Sequence, residues 1–219
     1  MDFRDAREKM VEEQIASRGV RDQRVLAAMR TVPREVFVPY DQAEAAYDDC
    51  PLPIGSGQTI SQPYIVAVMI EAAELKPCER VLDVGTGSGY AAAVMSRVAS
   101  EVFTIERHAP LSDEARRKFD TLGYSNIHLC TGDGTKGWLE AAPFDAIVVA
   151  ASGPATPRAL KDQLAIGGRL VMPVGNETQH LLRIRRTHES RFEEEDLGLV
   201  MFVRLIGEEG WKSDREGRG

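Results

Sequence analysis

The stretch Arg80-Val81-Leu82-Asp83-Val84-Gly85-Thr86-Gly87-Ser88-Gly89-Tyr90 leaves the chain few ways to fold. Its apolar start reads as a buried strand, and the alanine-rich residues 90–98 read as a helix. Between them stand three glycines at alternate positions. A strand, a glycine turn and a helix start let backbone approach a ligand closely. The helix start adds free N–H groups and the positive end of its dipole. A second strand, 102–105, ends in Glu106, an acid about 20 residues beyond the first glycine, where a carboxylate can take the two hydroxyls of a ribose.

The spacing also excludes ligands. A dinucleotide turn wants G-x-G-x-x-G, and here Tyr90 stands where the third glycine belongs. No Lys-Ser or Lys-Thr follows, which rules out a phosphate-cradling P-loop. A ligand with a ribose but no pyrophosphate fits better, and S-adenosylmethionine is the common one.

Further along, strands read at 81–84, 102–105, 127–130, 146–150 and 170–173, separated by helical stretches at 90–98, 111–122, 138–141 and 157–164. Apolar strands alternating with amphipathic helices predict an α/β fold with a parallel sheet covered on both faces. Ligands then bind beyond the carboxyl ends of the strands. That edge is expected to carry the turn from Gly85 through Gly87 to Gly89, Glu106, the Gly132-Asp133-Gly134 turn and Ala150-Ala151-Ser152-Gly153-Pro154. Asp133 reads equally as an acceptor for an adenine amino group or as a turn former. The alternation stops near the C-terminus. There, 181–186 and 197–205 read as a hairpin joined by a charged segment, 187–196, whose acids Glu193 to Asp196 look like a solvated loop. The polar tail from Gly207 reads as a fraying end.

Ahead of the alternation, helices read at 5–17, with Met10, Val11 and Ile15 on one face, and at 22–29. Residues 48–63 hold three prolines and two glycines and read as a shaped loop without regular structure. A helix starts at Pro63, and on local evidence Ser61 reads as its cap. The resulting division is 1–75 for helices and loop, 76–207 for the cofactor core and 208–219 for the tail, packed as one domain. A formal net charge of -7 argues against nucleic acid or an anionic membrane as the main partner. The three cysteines are scattered, out of metal register, and suit a reducing compartment; no apolar run approaches a membrane span, so the cytoplasm is expected. The four histidines lack metal-ligand spacing, so no metal is expected.

The segment Asp49-Cys50-Pro51-Leu52-Pro53-Ile54-Gly55-Ser56-Gly57-Gln58-Thr59-Ile60-Ser61-Gln62-Pro63, followed by the glycine turn, resembles the protein-L-isoaspartate O-methyltransferase family. The resemblance continues in Val32-Pro33-Arg34-Glu35-Val36-Phe37-Val38-Pro39, in Gly132-Asp133-Gly134 and in Gly167-Gly168-Arg169-Leu170-Val171-Met172-Pro173. The glycine turn is common to many methyltransferases, whereas the P-L-P-I-G-x-G-Q-T-I-S-Q-P loop is far more specific.

The resemblance implies an enzyme that uses S-adenosylmethionine to methylate the free carboxylate of L-isoaspartyl residues in damaged proteins. The ester then collapses to a succinimide that partly reopens as aspartate. It implies Ser61 as the active-site serine and Gln58, Thr59, Ile60 and Ser61 as residues lining the cofactor. Asp83 with Gly85, Gly87 and Gly89 corresponds to the glycine motif, Glu106 to the ribose acid, and Asp133 with Gly134 to the adenine side. The implied fold is a Rossmann-like methyltransferase sheet of seven strands, mostly parallel with the last strand antiparallel, behind an N-terminal helical extension. Two departures stand out: Phe202-Val203-Arg204-Leu205 replaces F-V-P-L, and Ala150-Ala151-Ser152 replaces T-A-A. Arg204 is expected to face water. The scaffold also admits a carboxyl methyltransferase acting on another acid, or a cofactor-binding protein without turnover.

Overall fold

The structure, a computed structural model, describes residues 3–212. The chain opens with α1 (Phe3–Lys9), continued by helical turns to Arg18, and Gly19 ends the run in left-handed backbone. Met10, Val11 and Ile15 are fully buried, as their spacing predicts. α2 (Gln23–Thr31) begins at Asp22, whose carboxylate accepts from the Arg24 N–H, and buries Val25, Leu26 and Met29.

Residues 48–63 differ from the expected irregular loop. β1 (Leu52–Gly55) and β2 (Gln58–Ile60) form an antiparallel hairpin. Alternation is the reason: Leu52, Ile54 and Ile60 turn inward while Pro53 and Thr59 face out. Gly55, Ser56 and Gly57 all take positive φ at the turn. In a two-stranded ribbon Pro53 sacrifices no interior ladder bond. α3 (Pro63–Ala72) then starts with proline in its first turn; its cap position is Gln62, with no side-chain cap. Ser61 therefore does not cap the helix.

The main sheet contains β3 (Arg80–Val84), β4 (Glu101–Glu106), β5 (Ile127–Thr131), β6 (Phe144–Val149), β7 (Leu164–Gly175), β8 (Gln179–His188) and β9 (Arg191–Val200). Their spatial order is β5-β4-β3-β6-β7-β8-β9. The pairings from β5 through β7 are parallel, and β8 and β9 add an antiparallel edge. Side chains alternate between two cores. Val81 and Val102 join the N-terminal helices, α3, α4 (Tyr90–Met95) and α5 (Ala109–Leu122). Leu82, Val84, Phe103 and Ile105 pack on the other face with α6 (Arg158–Asp162). The chain runs outward from β3 through β4 to β5 and then crosses back to lay β6 on the other side of β3, so the order reverses at β3, and a crevice opens beyond its carboxyl end.

Two C-terminal expectations change. The acids Glu193 to Asp196 belong to β9, not to a loop. Glu195 lies opposite Arg183 and Glu193 opposite Arg185, and the Arg183 guanidinium pairs with Glu195 while Arg185 reaches Glu74 at 2.8 Å. Cross-strand opposite charges favour the ladder, and an edge strand tolerates outward charge. The tail does not fray over its described part. The Glu208 N–H donates to Asp133, and the Trp211 indole N–H donates to the Ser152 carbonyl at 3.0 Å. Residues 213–219 lie outside the described part.

Candidate active site

A cleft opens at the carboxyl ends of β3, β4 and β6. The hairpin contributes Gln58, Thr59, Ile60 and Ser61 to its lining, and the glycine turn contributes Gly85, Thr86, Gly87 and Ser88. Glu106, His108, Gly134, Ala150, Ala151 and residues 203–206 complete most of the wall. Among the expected site residues, Asp83, Gly89 and Asp133 do not line it.

The turn is pinned before any ligand arrives. The Gly85 and Thr86 N–H groups donate to the Ile105 carbonyl at 2.9 and 3.2 Å. Gly85, Gly87 and Gly89 all have positive φ, which side-chain-bearing residues rarely adopt. Gly89 has a packing role as well: a Cβ there would come within 2.8 Å of the Phe119 ring on α5. It thereby permits the close approach that a dinucleotide turn assigns to its third glycine. A Cβ at Gly87 would meet the Ile54 side chain at 3.3 Å, so hairpin and glycine turn are in contact.

Glu106 is almost fully buried and held on both sides. One carboxylate oxygen accepts from the Gly87 N–H at 2.8 Å and the other from the His108 N–H at 2.9 Å. Each oxygen keeps a lone-pair site, so a prearranged acceptor faces the cleft. The His108 Nε2 atom is buried without a hydrogen-bond partner among the described residues. Asp83 lies under the turn. Its Oδ2 accepts from the Thr104 hydroxyl at 2.8 Å, Thr104 lies 2.6 Å from the Thr86 hydroxyl, and Oδ1 has no partner. Burial pushes its pKa up, the Thr104 hydrogen bond opposes that, and the Glu106 charge adds to it; the result is about 7. Asp133 serves its own surroundings. Its carboxylate accepts from the Thr135 N–H and hydroxyl and from the Glu208 N–H. Burial works against its charge, but the Glu208 and Thr135 hydrogen bonds hold its pKa below the ordinary carboxylate value.

The Asp83 environment sets a pH dependence. Unfolded, its carboxyl ionises near 3.9, while in the fold it keeps its proton up to about 7. Between those values the folded state binds more protons, so this group makes stability fall as pH rises through that window. Asp83→Asn cannot ionise and is expected to flatten this slope. Urea midpoints at pH 5 and pH 8 check it; an unaltered slope in the variant would assign the dependence to another group.

The sequence profile of the protein-L-isoaspartate(D-aspartate) O-methyltransferase family matches residues 5–210. The chain belongs to that family. It is 58% identical over 213 residues to protein-L-isoaspartate O-methyltransferase 1 of Rhodopseudomonas palustris, covering 96% of this chain and 87% of the relative. It is 58% identical over 212 residues to protein-L-isoaspartate O-methyltransferase 2 of Marinobacter nauticus, covering 96% and 97%. A solved protein-L-isoaspartate O-methyltransferase superposes with a TM-score of 0.84 at 29% identity, covering 93% of this chain and 67% of that one. A Plasmodium falciparum structure assigned to the same family, in complex with S-adenosyl-L-homocysteine, gives 0.79 at 28% identity, covering 91% and 98%. The reaction is methyl transfer from S-adenosylmethionine to the free carboxylate of L-isoaspartyl residues. The residues present suit that cofactor: a glycine turn open to close approach and a buried carboxylate with spare lone pairs at the end of β4.

In this isoaspartate methyltransferase the two departures from the family pattern meet. Ser152 and Arg204 form a parallel bridge, with the Ser152 N–H donating to the Val203 carbonyl and the Leu205 N–H to the Ser152 carbonyl. Arg204 does not simply face water. Its guanidinium donates to the Asn176 side chain at 2.8 Å and lies over the Trp211 ring. The Gly85–Gly89 turn and the 202–205 stretch border the cleft as the sequence suggests, whereas sequence reasoning missed His108, two places beyond Glu106, and Ile206, which only the fold brings to the cleft.

Proposed function

We propose that Glu106, Ser61 and the Gln58–Ile60 strand divide the work of this protein-repair methyltransferase between cofactor and acceptor. One observation carries the reading: the hairpin bearing Ser61 touches the glycine turn whose Gly87 N–H holds Glu106, so both halves face one cleft. When bound, S-adenosylmethionine supplies an activated methyl group on a sulfonium. Glu106 would take the ribose hydroxyls, and the glycine turn leading into α4 would hold the methionine end. Asp83 supports the turn from beneath through Thr104 and Thr86. Gly134 lets the adenine side close up, since a Cβ there would meet Val84 at 2.5 Å. Asp133 shapes that side through the Gly134–Lys136 turn and the docked tail.

The acceptor asks little more of the chain. A carboxyl group with a reference pKa near 3.9 is ionised at neutral pH, so no general base is required. What remains is to place one oxygen in line with the methyl group and exclude water. The Ser61 hydroxyl, free of any hydrogen bond among the described residues, is the donor suited to that. Clients are damaged proteins and peptides carrying isoaspartyl residues. The proposed compartment is the cytoplasm, supported by three free cysteines. Among the described residues no helix is long and apolar enough to cross a membrane.

Calorimetry tests the cofactor half. S-adenosylmethionine and its demethylated product are expected to bind, and NAD and ATP not. Glu106→Ala is expected to weaken binding by about 1.5–3 kcal/mol, the worth of hydrogen bonds to one charged group. Unchanged affinity would place the ribose elsewhere.

A further inference from the structure

Arg34 belongs to the Val32–Pro39 segment that marks the family, yet nothing above uses it. Its side chain is completely buried. No carboxylate pairs with it among the described residues; the neighbouring Glu35 is taken by Arg7 at 3.0 Å and by the Tyr47 hydroxyl. Nε donates to the Ala46 carbonyl at 2.7 Å, Nη2 donates to the Ser61 carbonyl at 2.8 Å, and Nη1 has no hydrogen-bond partner among the described residues. The guanidinium lies 4.8 Å from the centre of the Tyr90 ring, which lines the cleft one residue past the last glycine of the turn. Phe37 braces that ring edge-on at 5.7 Å.

A buried guanidinium without an acidic partner is costly, and an apolar residue of similar volume would serve packing alone at least as well. The two carbonyls it reaches come from separate segments, and its guanidinium over the Tyr90 ring registers both against the start of α4. A planar fork with fixed donor directions suits this task, and a single ammonium does not.

We propose that Arg34 is the positioning residue of the acceptor site: held between the Ala46 carbonyl and the Tyr90 ring, it sets where Ser61 stands relative to the glycine turn. The proposal rests on the reading that the Ser61 hydroxyl meets the acceptor carboxylate. Arg34 touches no reacting atom; it acts through Ser61. Its loss therefore shifts the hydroxyl by a fraction of its reach while the cofactor side, carried by Glu106 and the turn, keeps its shape.

Arg34→Lys keeps the charge and most of the stem but, with one ammonium, cannot hold the Ala46 and Ser61 carbonyls in the same directions beside the Tyr90 ring. With an isoaspartyl peptide, kcat per cofactor-binding site is expected to fall at least about tenfold, because small misplacements of reacting groups are expensive in rate. The cofactor Kd by calorimetry stays within about twofold, since the interaction lost matters only to transfer geometry. Millimolar guanidinium chloride is expected to restore part of kcat to Arg34→Gly and none to Arg34→Lys, whose side chain fills the space. Should the glycine variant not fold, Arg34→Gln, neutral and shorter, carries the same kcat and Kd comparison. The Ser61→Ala/Arg34→Lys double variant is expected to be little slower than Ser61→Ala alone, because both changes remove one function. Unchanged kcat in Arg34→Lys beside a slow Ser61→Ala overturns the proposal and leaves the Ser61 reading standing, as do losses that multiply in the double variant. Wild-type turnover in Ser61→Ala instead refutes the Ser61 reading, and the coupling claimed for Arg34 with it.

Discussion

An L-isoaspartyl peptide is expected to be methylated at least about 100 times faster than its L-aspartyl twin, the rate cost of misplacing a reacting group by about 1 Å. The two peptides have the same atoms; one backbone carbon has moved between main chain and side chain. A flexible site would follow that displacement and lose little. This cleft cannot follow easily. One wall is a hydrogen-bonded hairpin whose Leu52, Ile54 and Ile60 are buried, so Ser61 extends from a strand rather than from a mobile loop. Another wall is the 203–205 segment, fastened on both sides of Arg204 to the Ser152 backbone. Charge does not discriminate, because both acceptors carry one carboxylate ionised at neutral pH. Geometry must do so. Measuring kcat/KM on the paired peptides in one buffer checks this, and comparable values would describe a general carboxyl methyltransferase.

What could be read in the sequence follows from how locally each feature is determined. β3, the glycine turn and Glu106 lie within one βαβ unit, where periodicity and turn residues carry their own geometry. The parallel sheet was legible for the same reason. The β1–β2 hairpin was not, because Pro51, Pro53, Gly55 and Gly57 are loop formers by composition, whereas Leu52 and Ile54 gain their inward direction only from the helices they pack on. The second arm of the C-terminal hairpin reads too late in the sequence, at 197–205 instead of 191–200, because four consecutive acids look solvated until Arg183 and Arg185 stand opposite them. The tail was misread because its contacts, Asp133 and Ser152, lie far back in the chain. The two departures from the family pattern look independent in the sequence, since nothing local in Ser152 or Arg204 says that they bond. Asp83 shows the reverse limit: the motif was visible, but its burial and its unpartnered oxygen were not.

Ser61→Ala is expected to lower the rate of methyl transfer by about 100-fold while cofactor affinity and melting temperature change little. Two roles compete for a serine just ahead of a helix. A helix cap would hold stability, and its loss would cost about 1 kcal/mol without slowing the folded fraction. The geometry removes that role: Gln62 occupies the cap position, no side chain caps α3, and the Ser61 backbone is held by Arg34 through its carbonyl, which alanine retains. The hydroxyl itself bonds to nothing among the described residues, so deleting it leaves no buried donor or acceptor behind in the chain. If it orients the acceptor oxygen as the transfer geometry forms, its interaction is made in the transition state, and losing it appears in kcat rather than in binding. Ser61→Thr separates reach from chemistry. It keeps the donor and adds a methyl group to a residue that lines the cleft, so its rate is expected to fall as well, with unchanged cofactor affinity. Melting curves, calorimetric Kd and single-turnover rates on the three proteins distinguish these roles. A destabilised Ser61→Ala protein that turns over at the wild-type rate would return the residue to a structural part and leave the acceptor to be oriented by backbone alone.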